Sequence, residues 1–408
     1  MTWSLEPGYR RETLPDPESV GEDAGLVAKL RDEIALTGPI TFARFMERAL
    51  YEPGRGYYRQ TAPGPGTAAG DFITAPEAHP VYGAAVGRLV DEAWAAMGRP
   101  IPFTITEPGA GTGALAEGLL GGLRDMGSAL AADVRYRPVE VEPARLEALA
   151  ERLRVDELAD ALVADDAPDD EVETGAVIAN EVLDALPVHR VIGRPAGLRE
   201  LLVTTSPDGG FVWHEAEPST PALAARLDAE GVTLADGQST EVCLGIDSWL
   251  TGATRHLARG IVVLVDYAAE PAALHGAAKP GGTLRAFARH AVGGDPFRHV
   301  GRQDLTATVD LAAVRAAAAN AGLTLIGETT QAELLAAASA PANGKPGLTD
   351  PWLRGRDASL ASTLHLRSAL ARLMDPRGMG GFRVLVFGRG LPADVRLPLL
   401  DRVRRPTA

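Results

Sequence analysis

A single cysteine, Cys243, occurs in the 408 residues. It excludes an internal disulfide and any cysteine-based metal site, fits a reducing compartment, and reads as a small core residue. The eight histidines are scattered with no His-x-x-x-His pair, so no metal constellation is expected. A nucleophile elbow and a phosphate-loop Lys-Ser/Thr pair are both missing, which moves hydrolysis and phosphoryl transfer down the list. Basic residues are outnumbered, 40 against 54 acidic ones, and the resulting net charge of −14 disfavours wholesale binding to nucleic acid or to an anionic membrane. No segment approaches eighteen uninterrupted apolar residues, and no basic flank precedes an apolar stretch after Met1. Membrane insertion is not expected, and the expected location is cytoplasmic.

What is present is an ordinary globular composition: 46% hydrophobic residues and a mean hydropathy near zero, in a chain long enough for one large or two ordinary domains. The first twenty or so residues form a Pro-, Glu- and Arg-rich arm. Leu26, Leu30 and Ile34 then carry helical spacing up to Gly38-Pro39, and a second helix follows around Phe42, Phe45, Met46 and Leu50. Residues 61 to 70 cannot pack a core and predict a flexible loop, and Val81 to Met97 predicts a helix. From residue 101 strands and helices alternate: strand 103–107, helix 112–124, strand 134–141, helix 143–153, strand 160–164, strand 175–180. Such alternation predicts a parallel sheet covered by helices on both faces. A hairpin at 199–204 and 211–215, turning at Pro207-Asp-Gly-Gly210, interrupts it as an insertion. The apolar run 260–266 suits a strand buried on both faces. A loop-rich stretch at 268–310 leads to a helix at 311–321, a strand at 323–326, mostly helix over 331–374, and a closing strand at 382–387. No internal repeat is visible.

Thr104-Ile-Thr-Glu-Pro-Gly-Ala-Gly-Thr-Gly113 is a short strand that ends in an acid and breaks into alternating glycines. Gly109, Gly111 and Gly113 can take positive φ and bring backbone N–H groups close to a ligand. The helical spacing from Ala114 onward places them on a strand-to-helix corner, as nucleotide-type cofactors require. The corner satisfies the dinucleotide pattern and the S-adenosylmethionine (SAM) pattern equally, and does not choose between them.

Ligands of open α/β sheets bind outside the carboxyl ends of the strands. Here those ends are acidic repeatedly: Glu107, Glu140 with Glu142, Asp165 with Asp166, Asn180 with Glu181, and Asp266. Any one could be a helix cap, and capping is the better reading of Glu142 before Pro143. Five on one edge indicate a site. Glu140 is placed where an acid takes a ribose hydroxyl pair. In Val177-Ile-Ala-Asn-Glu-Val-Leu-Asp-Ala-Leu-Pro-Val-His189 a strand delivers Asn180, Glu181 and Asp184 to the cofactor edge, and Pro187 prevents a long helix. Two carboxylates and an amide suit a guanidinium, which takes bidentate partners in a plane. Tyr267, and Glu77 with His79, are candidates of lower weight.

Taken in order, these segments resemble one family, the MidA-like SAM-dependent methyltransferases, whose mitochondrial relatives methylate an arginine in a complex I subunit. The resemblance rests on Thr41-Phe42 to Met46, Tyr51, Gly56-Tyr-Tyr58, Gly70-Asp-Phe-Ile-Thr-Ala-Pro-Glu77, the glycine corner, Asn180-Glu-Val-Leu-Asp-Ala-Leu-Pro-Val188, Asp266-Tyr267, Gly282-Thr-Leu-Arg-Ala286, His290, and Asp304 to Asp310. It covers roughly residues 39 to 390. It implies a Rossmann-like class I methyltransferase fold: an N-terminal helical extension with a cofactor-covering loop (1–100), a SAM-binding core (101–190), an inserted β-rich, substrate-side segment (191–258), and the remainder of the core (259–408). It also implies SAM as cofactor, held by Asp71, Thr74, Glu107, Gly109, Ala110, Gly111, Gly113, Glu140, Asp165, Asp166 and Asn180. Glu181, Asp184, Asp266 and Tyr267 would serve catalysis, with no metal. The implied partner is an arginine-containing protein or a small-molecule acceptor, and a homodimer is allowed for. Two departures, Ala268 where the family has glycine and Thr308 where it has histidine, bear on the substrate pocket more than on SAM. The competing readings are a small-molecule N- or O-methyltransferase, a non-catalytic SAM-binding assembly factor, and an NAD-linked oxidoreductase supported only by the glycine pattern.

Overall fold

The computed structural model describes residues 20–60, 73–165, 172–288, 291–340, 347–348, 359–392 and 394–403. Asp71, Asp166, His290 and the 61–70 loop lie outside them.

The chain opens with two amphipathic helices. In α1 (Ala24–Thr37) Leu26, Val27, Leu30 and Ile34 share the buried face; Asp23 accepts from Leu26 N at 2.9 Å at its start, and Gly38 at φ 83° ends it. α2 (Phe42–Tyr51) is capped by Thr41, which accepts from Arg44 N at 3.1 Å. The short α3 (Ala75–Ala78) and the long α4 (Val81–Ala96) follow.

The alternating region comes next: β1 (Phe103–Pro108), α5 (Ala114–Asp125), β2 (Val134–Val139), α6 (Pro143–Val155) and β3 (Glu173–Asn180). The strand expected at 160–164 is reduced to one parallel bridge, Leu162 to Tyr136. Only Leu162 and Val163 are strongly apolar between Asp160 and Asp165, too little to bury a longer strand. β4 (His189–Arg194), β5 (Gly197–Thr205), β6 (Phe211–Ala216), α7 (Ala222–Ala229), β7 (Ser239–Val242) and α8 (Ile246–Ala253) form the insertion. Its four strands make a separate antiparallel sheet in the order β6-β5-β4-β7.

β8 (Leu257–Asp266) returns to the core, with Ile261 to Val265 at most 1% exposed. The expected loops of 268–310 contain short strands: β9 (Ala268–Ala269) paired with β13 (Val309–Asp310), and β10 (Arg285–Ala288) between β11 (Ala291–Gly293) and β12 (Asp304–Thr306), with α9 (Pro271–Leu274) between β9 and β10. α10 (Leu311–Asn320), β14 (Thr324–Thr330), α11 (Gln331–Ser339), α12 (Leu360–Leu373), β15 (Arg383–Arg389) and α13 (Pro398–Val403) complete the described chain.

The main sheet has the order β14-β15-β8-β3-β1-β2. β2, β1, β3 and β8 are mutually parallel, so their carboxyl ends share one edge. The expectation of a parallel sheet fails at β15, which runs antiparallel between β8 and β14. A buried apolar run carries no mark of its direction, so the reversal was not legible.

Two packing arrangements position the site. α4 lies backbone to backbone on α5: a Cβ added at Gly83 would sit 2.8 Å from Gly118 Cα, and one at Gly122 would sit 2.6 Å from Ala84 Cα. The N-terminal helices pack on the inserted sheet, through a backbone pair between Ile40 and Val203. An aromatic cluster of Phe42, Phe45, Phe211, Trp213 and Phe297 fills the space between them.

Candidate functional site

A cavity of about 370 Å³ opens at the carboxyl ends of β1, β2 and β3. Its floor is the glycine corner, where Gly109, Gly111 and Gly113 take φ of 73°, 54° and 86°. The three glycines serve different purposes. A Cβ at Gly109 would meet Val182 Cγ2 at 2.8 Å, and one at Gly113 would meet Leu149 Cγ at 2.6 Å, so these two allow close packing. At Gly111 nothing lies within 4 Å, so that residue leaves room for a ligand against the backbone.

Acids surround this floor. Glu107 is buried and accepts from Tyr136 Oη at 2.6 Å; burial pushes its pKa to about 8, against the lowering effect of that bond. Glu140 accepts from Gly111 N at 3.0 Å, Val141 N at 2.8 Å and Glu142 N at 3.2 Å, and pairs with Arg145 at 3.2 Å. Glu142 stands at the N-cap position of α6, but its side chain makes no capping bond.

On the opposite side, Asn180 Oδ1 accepts from Tyr82 Oη, and Asn180 Nδ2 donates to Glu181 Oε1 at 3.0 Å. Glu181 Oε1 also accepts from Ala75 N at 3.1 Å. Glu181 has φ of 53°, a left-handed conformation that costs a non-glycine residue on the order of 1 kcal/mol and concentrates at functional sites. Burial, reinforced by the charge of Asp184, raises its pKa to about 7.

Asp184 and Asp266 stand behind this wall and are not among the cavity-lining residues. Asp184 is 6% exposed; Tyr267 Oη donates to its Oδ2, while Oδ1 is buried with no hydrogen-bond partner. Burial raises its pKa to about 6. Asp266 accepts from Leu183 N at 3.0 Å, Asp184 N at 3.2 Å and Tyr267 N at 2.9 Å. It therefore fixes the loop that carries Asp184 and does not itself face the cavity. Tyr267 likewise touches Asp184 and not the cavity.

Two more expected residues separate in space. Thr74 lines the cavity beside Glu77, which accepts from Thr112 Oγ1 at 2.8 Å and pairs with Arg152 at 3.0 Å. Asp165 does not line it. Asp165 borders an adjoining cavity of about 290 Å³, which shares Pro108, Val139 and Trp249 with the first, and lies 3.8 Å from Arg255 and 4.0 Å from Arg137. His79 is buried against His365, and burial holds its pKa down at about 4. Cys243 is largely buried too, and burial pushes its thiol to about 11.

The far wall went unread in the sequence. Tyr51 and Tyr58 line the cavity with rings stacked at 5.5 Å; their hydroxyls reach Ala185 O at 2.9 Å and Asp304 Oδ1 at 3.0 Å. Arg145 approaches the Tyr58 ring at 5.9 Å. Tyr51 and Gly56-Tyr-Tyr58 belong to the motifs that carry the family resemblance, but they carry no site role there, and their concentration around Gly56 reads equally as a turn.

Among the described residues no lysine or arginine pairs with Glu107, Glu181, Asp184 or Asp266. The two of these acids that line the cavity, Glu107 and Glu181, are held above their ordinary pKa without a cation and suit a cationic ligand. The apolar lining of Leu115, Val139, Val182, Leu186 and Trp249 suits a flat heterocycle beside it. The open face of Gly111, the acids and this apolar wall together fit SAM, which joins a sulfonium to a nucleoside.

Comparison with known proteins decides the cofactor. A family of S-adenosyl-L-methionine-dependent methyltransferases matches residues 85–329. The chain belongs to this family. A relative from Burkholderia thailandensis, crystallised with S-adenosyl-homocysteine, is 33% identical, with a TM-score of 0.79 over 96% of this chain and 97% of that one. The protein arginine methyltransferase NDUFAF7 homolog, mitochondrial, of Drosophila melanogaster is 30% identical, covering 74% of this chain and 72% of the relative. The mouse protein arginine methyltransferase NDUFAF7, mitochondrial, is 27% identical over 74% and 71%. This methyltransferase is thus a SAM-dependent enzyme, and the ambiguity of its glycine corner is resolved against a dinucleotide.

Proposed function

We propose that this methyltransferase transfers its methyl group to a guanidinium nitrogen of an arginine in a protein. The observation that carries the reading is Glu181, whose strained backbone presents to the cavity, opposite the glycine corner, a carboxylate that accepts from Ala75 N and Asn180 Nδ2 but has no cationic partner among the described residues. The names of the curated relatives support the same acceptor.

SAM, when bound, supplies an electrophilic methyl on a sulfonium and departs as S-adenosyl-homocysteine. The backbone of Gly109, Ala110, Gly111 and Gly113 with Glu107 and Asn180 would hold its amino-acid portion, Glu140 its ribose hydroxyls, and Thr74 the approach to it. Asp165, in the adjoining cavity, would lie on the adenine side. An arginine is always protonated and its charge is spread over three nitrogens, so attack requires electron density localised on one. Glu181, accepting from the N–H groups of the nitrogens that do not react, localises it. As the new C–N bond forms, the reacting nitrogen loses a proton, and a carboxylate with a pKa near 7 can take it at neutral pH. Asp184, behind the wall, would act through its negative charge, which helps to raise the basicity of Glu181. Asp266 and Tyr267 act as positioning residues through Asp184. Tyr51 and Tyr58 exclude water and favour in-line approach.

Replacing Glu181 with Gln keeps the shape and the bond from Ala75 N but removes the charge. Transfer is expected to fall about 10²–10³-fold, while calorimetric SAM affinity stays unchanged. Unaltered turnover would discard the role. Labelled SAM incubated with a cell extract separates the acceptor classes: label in protein arginine supports the reading, and label in small molecules replaces it with a metabolite methyltransferase. For location we propose the cytoplasm, with which the single cysteine is compatible, although the relatives above are named mitochondrial; fractionation of the host cell tests this.

A further inference from the structure

Glu230, His275 and Asp310 come from the end of α7, the end of α9 and the start of α10, and meet in a small cavity of about 30 Å³. This cavity shares no lining residue with the methyl-transfer cavity. The sequence carried no sign of the cluster, because its members lie 35 or more positions apart.

His275 is deeply buried, and its Nδ1 lies 2.7 Å from Thr240 Oγ1. If Nδ1 carries the proton, Nε2 turns a lone pair inward. Nε2 has no hydrogen-bond partner, nor has Glu230 Oε1, and both side chains are more than nine-tenths buried. Nε2 stands 3.5 Å from Asp310 Oδ2 and 3.7 Å from Glu230 Oε2. Direct charge-assisted hydrogen bonds are shorter, roughly 2.7–2.9 Å. Ligand atoms about 2.0–2.1 Å from one tetrahedral ion stand about 3.4 Å from each other, close to the observed separations. The three atoms lie within 4.8 Å of one another. Asp310 uses its other oxygen to cap α10, accepting from Ala312 N at 2.7 Å and Ala313 N at 3.1 Å, which fixes its orientation. Thr240 does the same for the imidazole, as outer partners of metal ligands do. Two neighbouring charges are partnered through one atom each: Arg226 Nη2 bonds Asp247 at 2.9 Å and Glu241 Oε2 accepts from Thr283 N at 2.6 Å, while Arg226 Nη1 and Glu241 Oε1 are buried without a hydrogen-bond partner.

We propose that Glu230, His275 and Asp310 form a divalent-cation site of the zinc class, with a fourth position open to one water. The site is structural: it ties the inserted segment, through Glu230, to the loop after β8 and to α10. The rival occupant is a proton on His275 bridging the two carboxylates.

The test uses the full-length protein, stripped with EDTA and reloaded with Zn²⁺ or Co²⁺. Expected are about one metal per chain by elemental analysis, a tetrahedral Co²⁺ absorption spectrum without thiolate bands, and a higher melting temperature with zinc. Glu230→Gln and His275→Asn should each lower the retained metal at least about tenfold. Failure of the wild-type protein to take up stoichiometric metal overturns the proposal in favour of the bridging proton. A thiolate band, which would implicate the nearby Cys243, overturns the ligand set even where a variant fails to fold. So does metal retention unchanged in both variants.

Discussion

Glu181 links stability and activity at a single residue. Its pKa is raised from 4.5 to about 7, so the unfolded chain releases this proton at lower pH than the folded one does. Folding is therefore favoured by this group below about pH 4.5, and that advantage is lost as pH rises toward 7. At pH 8 Glu181→Gln should be more stable than the wild type, on the order of 1–3 kcal/mol by denaturant titration, with no difference at pH 4. Transfer has the opposite sign. It needs the carboxylates of Glu181 and Asp184, so kcat/KM should climb between pH 6 and 7 in the wild type and lose the Glu181 part of that climb in the variant. A flat wild-type profile would speak against both assignments. The glycines make a second contrast. Gly111→Ala faces open space and should weaken SAM binding with only the modest stability loss of a positive φ. Gly113→Ala drives its Cβ into Leu149 and should cost about 1–3 kcal/mol in addition, as thermal unfolding with and without SAM would show.

Among the elements, α4 and α5 form the most exacting contact. Gly83, Gly87, Gly118 and Gly122 remove the side chains that would hold these helices apart, and α5 begins directly at the SAM loop. Gly122→Leu should overpack the pair by about 1–3 kcal/mol and raise the SAM dissociation constant, although residue 122 lies at the far end of α5. Calorimetry giving wild-type affinity would show that the loop is set independently of this contact. The strands were legible where apolar runs had sharp ends, as at Phe103, Asn180 and Asp266. The strand at 160–164 was not, since its register depends on tertiary burial, nor was the direction of β15. At the site, Glu107, Glu140 and Glu181 could be read from their places after strands. The role of Tyr51 and Tyr58 could not, because they reach the cavity through contacts distant in sequence, with the inserted sheet, Ala185 and Asp304.

Across the whole molecule, the expected boundaries at 100, 190 and 258 follow the chain, whereas the packing joins distant parts of it. α1 and α2 share one apolar core with β5, β6 and residues around Phe297. Amide exchange should accordingly protect α2 in step with β5, and not with α4 and α5. Exchange of α2 ahead of β5, or in step with α5, would contradict this. The insertion between Asn180 and Leu257 has one further effect. β3 and β8 lie side by side in the sheet, yet a complete four-stranded sheet must be made between them. Contacts of such long sequence separation form late in folding. The loop that presents Glu181 and Asp184 hangs from both strands, so on refolding its cavity should close after most of the secondary structure has appeared. A newly made chain would then pass through a stage at which it looks folded by circular dichroism and cannot yet bind SAM.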